Sequence, residues 1–323
     1  MNLGDLRALE PDFWRAPSAH NTQPWTLRYR GDRVEIGWDP ACALPAADPT
    51  GRDLRLGLGA FTETCLIVCA DAGLPVGFRP GYDRARRLVG ALVAAGEPYA
   101  TPFTADDVRA RRTGRVPYRP GRLDDAVFGA AAEQAEAAGA RTLRLPCRRL
   151  AGLLYDADRH MFGDPAVTFE LRAWLRLSPR DPRYGLDGLT DRALRLGRAE
   201  ALGLRAVLSP RAYPVLRRAG LPRLLAAASR GLLDHDGDVL VLVGPAGCPP
   251  EGEIAMGRVL MRQWLALSRL GHTVHPLSQI IDAPATRAAL ARMLDVDDPA
   301  RLLSVVRVGR PAEPPPRSAR RVR

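Results

Sequence analysis

The rarest polar residue of this chain stands in its densest polar loop. Asn occurs only at positions 2 and 21, and Asn21 lies within residues 16–25, APSAHNTQPW. There Ser18, Asn21 and Gln23 place one hydroxyl and two amides between Pro17 and Pro24. A rigid loop of this kind could present donors and acceptors to a planar heterocycle with mixed polar edges. It could equally be a structural loop in which Ser18 or Asn21 caps backbone groups. A second segment, 109–120, reads RARRTGRVPYRP and sets Arg111, Arg112 and Arg115 around Thr113 and Gly114. Guanidinium forks and a hydroxyl beside a flexible glycine suit phosphate and polyol oxygens. A solvated basic turn explains the same residues. A third, 275–282, reads HPLSQIID: a strand ends in a turn through Pro276 and Leu277. Backbone N–H groups there could face a bound ring, with Ser278 and Gln279 as side-chain candidates. His275 reads as a proton donor or as a packed histidine. The tail, 307–323, carries Arg317, Arg320, Arg321 and Arg323. It could hold a phosphate, touch nucleic acid, or be a disordered end.

The composition narrows the chemistry. All 47 basic residues are Arg, and the net charge is +11. The absence of Lys and near-absence of Asn look like a GC-rich coding bias, so much of this charge reads as solvated surface and a nucleic-acid patch ranks behind. The five cysteines contain no CxxC pair, which argues against a disulfide framework or zinc site. Cys65 and Cys69, one helical turn apart, read as buried small hydrophobes. No HExxH, GxGxxG, P-loop or GxSxG pattern occurs, which weakens metalloprotease, dinucleotide, nucleotide-triphosphate and α/β-hydrolase readings. No uninterrupted apolar stretch reaches membrane-spanning length, and residues 1–10 do not read as a secretory signal. A cytoplasmic location is the expectation.

The elements that must position these segments follow from pattern. A short helix is expected over 3–13, a hairpin over 26–38 around Gly31-Asp32, and a long apolar helix over 51–72 closed by Gly73. Strands are expected near 74–78 and 86–94. The second half begins near residue 104, with a helix at 124–138 and a strand at 141–145. A helix over 150–175 is expected to break at 163–165, and residues 178–190 read as a loop or lid. There follow a strand at 239–243, a helix at 251–270 closed by Gly271, a strand at 273–275, a helix at 284–294 and a strand at 302–308. The stretches GAFTETCLIVCADAGLPVGFRP and GRVLMRQWLALSRLGHTVHPLS share an order of long helix, glycine and short strand. That suggests a duplicated α+β unit, although helix–glycine–strand is also a common shape on its own.

Taken in order, the four polar segments resemble those of the nitroreductase superfamily, and more closely its Acg-like branch of fused, flavin mononucleotide (FMN)-binding proteins. PSAHNTQPW looks like that superfamily's isoalloxazine loop, and DPTGRDLRLGLGA is similar to the start of its first core helix. RRTGRVPY looks like its flavin segment, LGHTVHPLSQIID like the turn near the reactive ring edge, and RVGRPAEPPPRSARR like its terminal phosphate segment. The resemblance implies an α+β nitroreductase-like fold, internally duplicated so that one chain mimics the usual homodimer. It divides the chain into halves at 1–103 and 104–323, with a helical or lid insertion at about 150–232.

One FMN is implied, held by Pro17, Ser18, Asn21 and Gln23 from one half. Arg111, Thr113, Arg115, Pro276, Leu277, Ser278, Gln279, Arg317, Arg320 and Arg321 would come from the other. The Glu-Gly pair of typical nitroreductases is replaced by Ser278-Gln279, and no protein nucleophile is implied. The implied activity is NAD(P)H-dependent reduction of a small electron-poor substrate, or flavin-dependent dehydrogenation. A non-catalytic FMN-storage protein is the alternative, and a monomer or weak dimer is expected.

Overall fold

The computed structural model describes residues 3–321. The chain runs α1 (Leu3–Phe13), β1 (Trp25–Arg30), β2 (Arg33–Trp38), α2 (Arg52–Asp71), β3 (Val76–Asp83), β4 (Leu88–Ala94) and α3 (Ala105–Ala110). It continues with α4 (Asp125–Glu136), β5 (Arg141–Pro146), α5 (Ala151–Gly163) and α6 (Pro165–Ala173). A two-residue parallel pair follows, β6 (Leu175–Arg176) and β7 (Leu189–Thr190). Then come four short helices: α7 (Asp191–Leu194), α8 (Arg198–Val207), α9 (Tyr213–Arg218) and α10 (Leu221–Ala228). The chain closes with β8 (Asp238–Val243), α11 (Pro250–Arg269), β9 (Thr273–Pro276), α12 (Gln279–Asp282), α13 (Pro284–Met293) and β10 (Leu302–Gly309).

The strands form two antiparallel four-stranded sheets, ordered β1-β2-β4-β3 and β5-β8-β10-β9. Each sheet has the same strand order, and each places one 20-residue helix between its second and third strands in the chain: α2 and α11. The α+β class expected from the sequence is therefore what the chain adopts. Nearly every expected element is present within a few residues. β3 runs on to Asp83, past the expected end, because 79–83 is a polar edge segment without apolar alternation. Residues 279–282 form a single helical turn where the sequence suggested only a Pro-containing turn.

α2 is buried on every side: each residue from 56 to 69 is buried. The stretch is mostly apolar and lies enclosed between the first sheet, α1 and α11, with Glu63 its one buried acid. Its crossing with α11 sets the geometry of the whole molecule. A Cβ on Gly59 would lie 2.0 Å from the Ile254 carbonyl oxygen, and one on Gly257 would lie 2.2 Å from that of Leu56. Only glycine on both helices lets the backbones meet this closely. The two glycines are the eighth residues of their helices, so the contact is reciprocal. Beside it, Arg55 pairs with Glu253 at 2.7 Å. Further along, the fully buried Glu63 accepts from Arg258 at 2.7 Å and Arg262 at 3.1 Å.

Overpacking a well-packed contact costs about 1–3 kcal/mol, and here the obstacle is backbone rather than a side chain that can turn away. Gly59→Ala should therefore lower unfolding stability by at least about 2 kcal/mol, read from urea titration by circular dichroism. A variant as stable as the parent would mean that the helices can separate freely at this point.

Candidate functional site

The four polar segments, far apart in sequence, meet at one place. Residues 17–24 rest on α2, where Gly57 faces the Pro17 carbonyl and Ser18 at ordinary contact distance. The loop is strained. His20 (φ 47°), Asn21 (φ 55°) and Gln23 (φ 52°) are left-handed, half of the six such non-glycine residues described. Conformations of this kind persist only where surroundings impose them, and they gather at binding sites. Ser18 supplies one restraint, its Oγ accepting from the Gln23 N–H at 2.9 Å.

The two amides supply the rest. Asn21 Nδ2 donates to the carbonyls of Ala319 at 3.0 Å and Gly188 at 3.3 Å, while Oδ1 accepts from Arg320 at 2.8 Å. Gln23 Nε2 donates to the Leu186 carbonyl at 2.9 Å, and Oε1 accepts from the Arg321 N–H at 2.9 Å. The loop, the 186–188 stretch and the tail are thus stitched together through two side chains. Asn21 and Gln23 spend their side-chain groups on protein partners.

The second segment hangs beside the third. Gly114 N–H donates to the Val274 carbonyl at 2.8 Å. A Cβ on Gly114 would lie 2.2 Å from Thr273 Oγ1, so only glycine allows the approach. Arg307 of β10 holds the strap from below, donating to the Val116 carbonyl at 3.0 Å and lying over the Tyr118 ring.

The tail arginines differ in their neutralisation. Arg321 is paired with Asp187 at 2.6 Å, and that buried carboxylate also takes Arg176 at 2.8 Å and Arg183. Burial alone would raise the Asp187 carboxyl, but its arginine hydrogen bonds bring it below the usual carboxylate value. Arg320 has no such partner. With Arg15, Arg111, Arg112, Thr113 and Arg317 it lines a cleft that contains no acidic residue. Arg111 donates only to the Arg15 carbonyl at 3.1 Å, and its buried Nε and Nη1 are without partners, as is Arg320 Nε. Burial, reinforced by Arg112, lowers Arg111 to about 10. Burial, reinforced by Arg111, Arg15 and Arg112, lowers Arg320 to about 9. Arg323 lies outside the described residues.

Arg115 links the remaining parts. It has no hydrogen bond or ion pair among the described residues, and burial lowers it to about 10. His20 and His275 both feel its charge. Burial first, then Arg115, lowers His20 to about 4, and the same two effects put His275 well below its ordinary value. Both imidazoles are therefore neutral at pH 7. Leu277 is fully buried in the core and its N–H is taken by the Val305 carbonyl at 2.8 Å. Its neighbour Pro276 closes β9. Gln279 donates from Nε2 to Asp158 at 3.2 Å. The Ser278 carbonyl accepts from the N–H groups of Ile281 and Asp282.

Sequence reasoning missed Arg15, His20 and Asp187. Arg15 and His20 flank or sit inside the first segment, and Asp187 lies in the expected lid, so position was a usable signal. It also missed a buried charge cluster under the 278–282 turn. There Arg52 pairs with Asp53 at 2.7 Å and Asp282 at 2.6 Å, beside Asp48. Burial and the charge of Asp53 push Asp282 up to about 8, against the pull of Arg52. The same two causes push Asp48 up to about 6.

No family model matches the chain. Three relatives carry the name NAD(P)H nitroreductase. Rv3131 of Mycobacterium tuberculosis is 41% identical over 59 residues, 18% of this chain. Acg of the same organism is 30% identical over 109 residues, 32% of this chain. PigM of a Serratia species is 23% identical over 307 residues, 85% of this chain. These partial or distant matches support membership of the nitroreductase superfamily. The matched stretches span 17% of Rv3131 and 33% of Acg, against 80% of PigM. Membership of the nitroreductase superfamily agrees with the α+β architecture.

The charge cluster generates a pH test. The folded state raises the Asp282 pKa above its unfolded value near 4, so it keeps a proton that the unfolded chain has lost. The resulting stabilisation is present at low pH and is lost as pH rises towards about 8. Asp282→Asn stays neutral throughout. Its melting temperature relative to the parent should climb between about pH 4 and about pH 8. A difference that stays flat across that window would remove the raised Asp282 carboxyl.

Proposed function

We propose that this chain is an FMN-binding, nitroreductase-like oxidoreductase that holds one flavin between two duplicated halves. The halves are 1–103 and 104–323, with the insertion at about 150–232. The observation that carries the reading is the acid-free cleft of Arg15, Arg111, Arg112, Arg317 and Arg320. Buried guanidiniums with orphaned N–H groups and depressed pKa values are electrostatically incomplete, and a dianionic phosphate is the partner they fit. The duplication is supported by the matching strand orders and by the reciprocal glycine contact at equal positions in two 20-residue helices.

In this reading the arginine cleft and Thr113 hold the phosphate end, and Arg115 adds positive charge near the ring. Residues 17–24 and the 276–279 turn border the ring itself. The bound flavin would supply two-electron transfer between a nicotinamide and a small electron-poor organic acceptor. The protein's own part is to bind, to orient and to exclude water. Neutral His20 and His275 can each donate or accept one hydrogen bond without adding charge. Arg321 belongs to the fastening of the 186–188 stretch through Asp187.

That fastening favours a second reading. The expected lid is tied to the flavin loop and to the tail by Asn21, Gln23 and Asp187. A lid held shut would make the protein a flavin store. Anaerobic mixing with NADPH or NADH separates the two: bleaching of flavin absorbance supports turnover, and an unchanged spectrum supports storage.

Arg111→Ala and Arg320→Ala each remove a charged hydrogen-bond donor aimed at phosphate. Each should weaken FMN about ten- to a hundredfold while leaving riboflavin nearly unchanged, measured by flavin fluorescence quenching. Equal losses for both ligands would take the phosphate out of this cleft, and failure to bind any flavin would remove the proposal altogether.

A further inference from the structure

The excess positive charge of this chain is concentrated in one place. Residues 191–230, which hold α7 to α10, contain nine arginines against Asp191 and Glu200, a balance of +7. The remaining 283 residues together carry only +4. A coding bias towards Arg spreads basic residues along a chain and does not explain this clustering. Among the described residues only one of the nine, Arg195, forms an ion pair, with Glu313 at 2.6 Å.

The same helices expose aliphatic side chains. Leu202 of α8 is 69% exposed, Val215 of α9 66% and Leu224 of α10 69%, whereas the next most exposed large apolar residue, Leu186, reaches 44%. The helices are not short of a core. α8, α9 and α10 turn Leu204, Leu208, Tyr213, Leu216, Leu221 and Leu225 into one shared cluster against α6. The exposed residues lie on the faces left outward. Leu202 is flanked by Arg198 four residues before it and Arg205 three after, all three exposed on one face of α8. Val215 has Arg211 and Arg218 at the same spacing, and Leu224 follows Arg223.

We propose that the α8–α10 surface is a docking face for an anionic lipid surface. Aliphatic residues set among arginines on amphipathic helices suit the headgroup boundary, where the apolar side chain enters and guanidiniums meet lipid phosphates. This is binding to a surface, since no helix among the described residues is long and apolar enough to cross a membrane. Nucleic acid would use the charge but not the leucines, and stacking on bases calls for exposed aromatics. The only aromatic residue in 191–230 is Tyr213, which is fully buried. A second copy of this face would bring +7 against +7.

The test is co-sedimentation of the full-length protein with vesicles of phosphatidylcholine, with and without phosphatidylglycerol. Binding is expected only with phosphatidylglycerol, and it should weaken as salt is raised. Each of Arg198→Gln and Arg205→Gln should weaken it about fivefold. Leu202→Ser with Leu224→Ser should weaken it at least about tenfold. These side chains are exposed, so the variants should keep the parent's circular dichroism. Leu270→Ser, at an exposed leucine outside the insertion, should bind as the parent does. No binding to phosphatidylglycerol vesicles would overturn the proposal. So would equal binding by the leucine double variant, equal loss in Leu270→Ser, or duplex DNA binding as tight as vesicle binding.

Discussion

Two carbonyl oxygens occupy the space where side chains would ordinarily stand. The Ile254 carbonyl faces Gly59, and the Leu56 carbonyl faces Gly257. This close crossing sets the separation of α2 and α11, and with them of the two sheets they contact. With α2 and α11 fixed, the 17–24 loop has a floor at Gly57 and the 278–282 turn has an anchor at Arg52. The polar segments then face one another across a boundary that neither half could build alone. Any slackness at the crossing would be passed directly to that boundary, since packed interiors transmit displacement rather than absorb it.

The arginines of the chain fall into three populations, which charge counting alone merges. Some are structural and neutralised: Glu63 takes Arg258 and Arg262, and Asp187 takes Arg176, Arg183 and Arg321. Some are buried or half-buried without an acid, as Arg111 and Arg320 are in the cleft. Others stand in water on α8 to α10. The energetics differ accordingly. An exposed guanidinium costs little and contributes little. A buried unpaired one is costly to hold and is relieved by any well-placed anion. The electrostatic incompleteness of the cleft is therefore its most informative property.

The 17–24 loop is also the most constrained piece of backbone among the described residues. Three left-handed residues within four positions are held by a serine cap and by two amides that reach segments far along the chain. Those amides tie the loop to the 186–188 stretch and to the tail, so its conformation rests on both.

The sequence by itself determined the elements. Apolar runs, Gly73 and Gly271 as helix ends, and the Gly31-Asp32 hairpin are local signals, and they gave the α+β class and most boundaries. It also singled out segments that the fold brings together: Asn21, Arg111, Arg115 and Arg320 all converge. What those residues do there was decided by tertiary structure. Whether Asn21 offers its amide to a ligand or to Ala319 depends on a segment 298 residues away, and whether Arg320 or Arg321 meets an acid depends on Asp187, 134 residues from Arg321. The partners of Asp187 and the grouping of Asp48, Arg52, Asp53 and Asp282 were hidden for the same reason. Hydrogen-bond partners and burial are properties of the folded neighbourhood, and no periodicity in the chain encodes which distant carboxylate a given guanidinium will find.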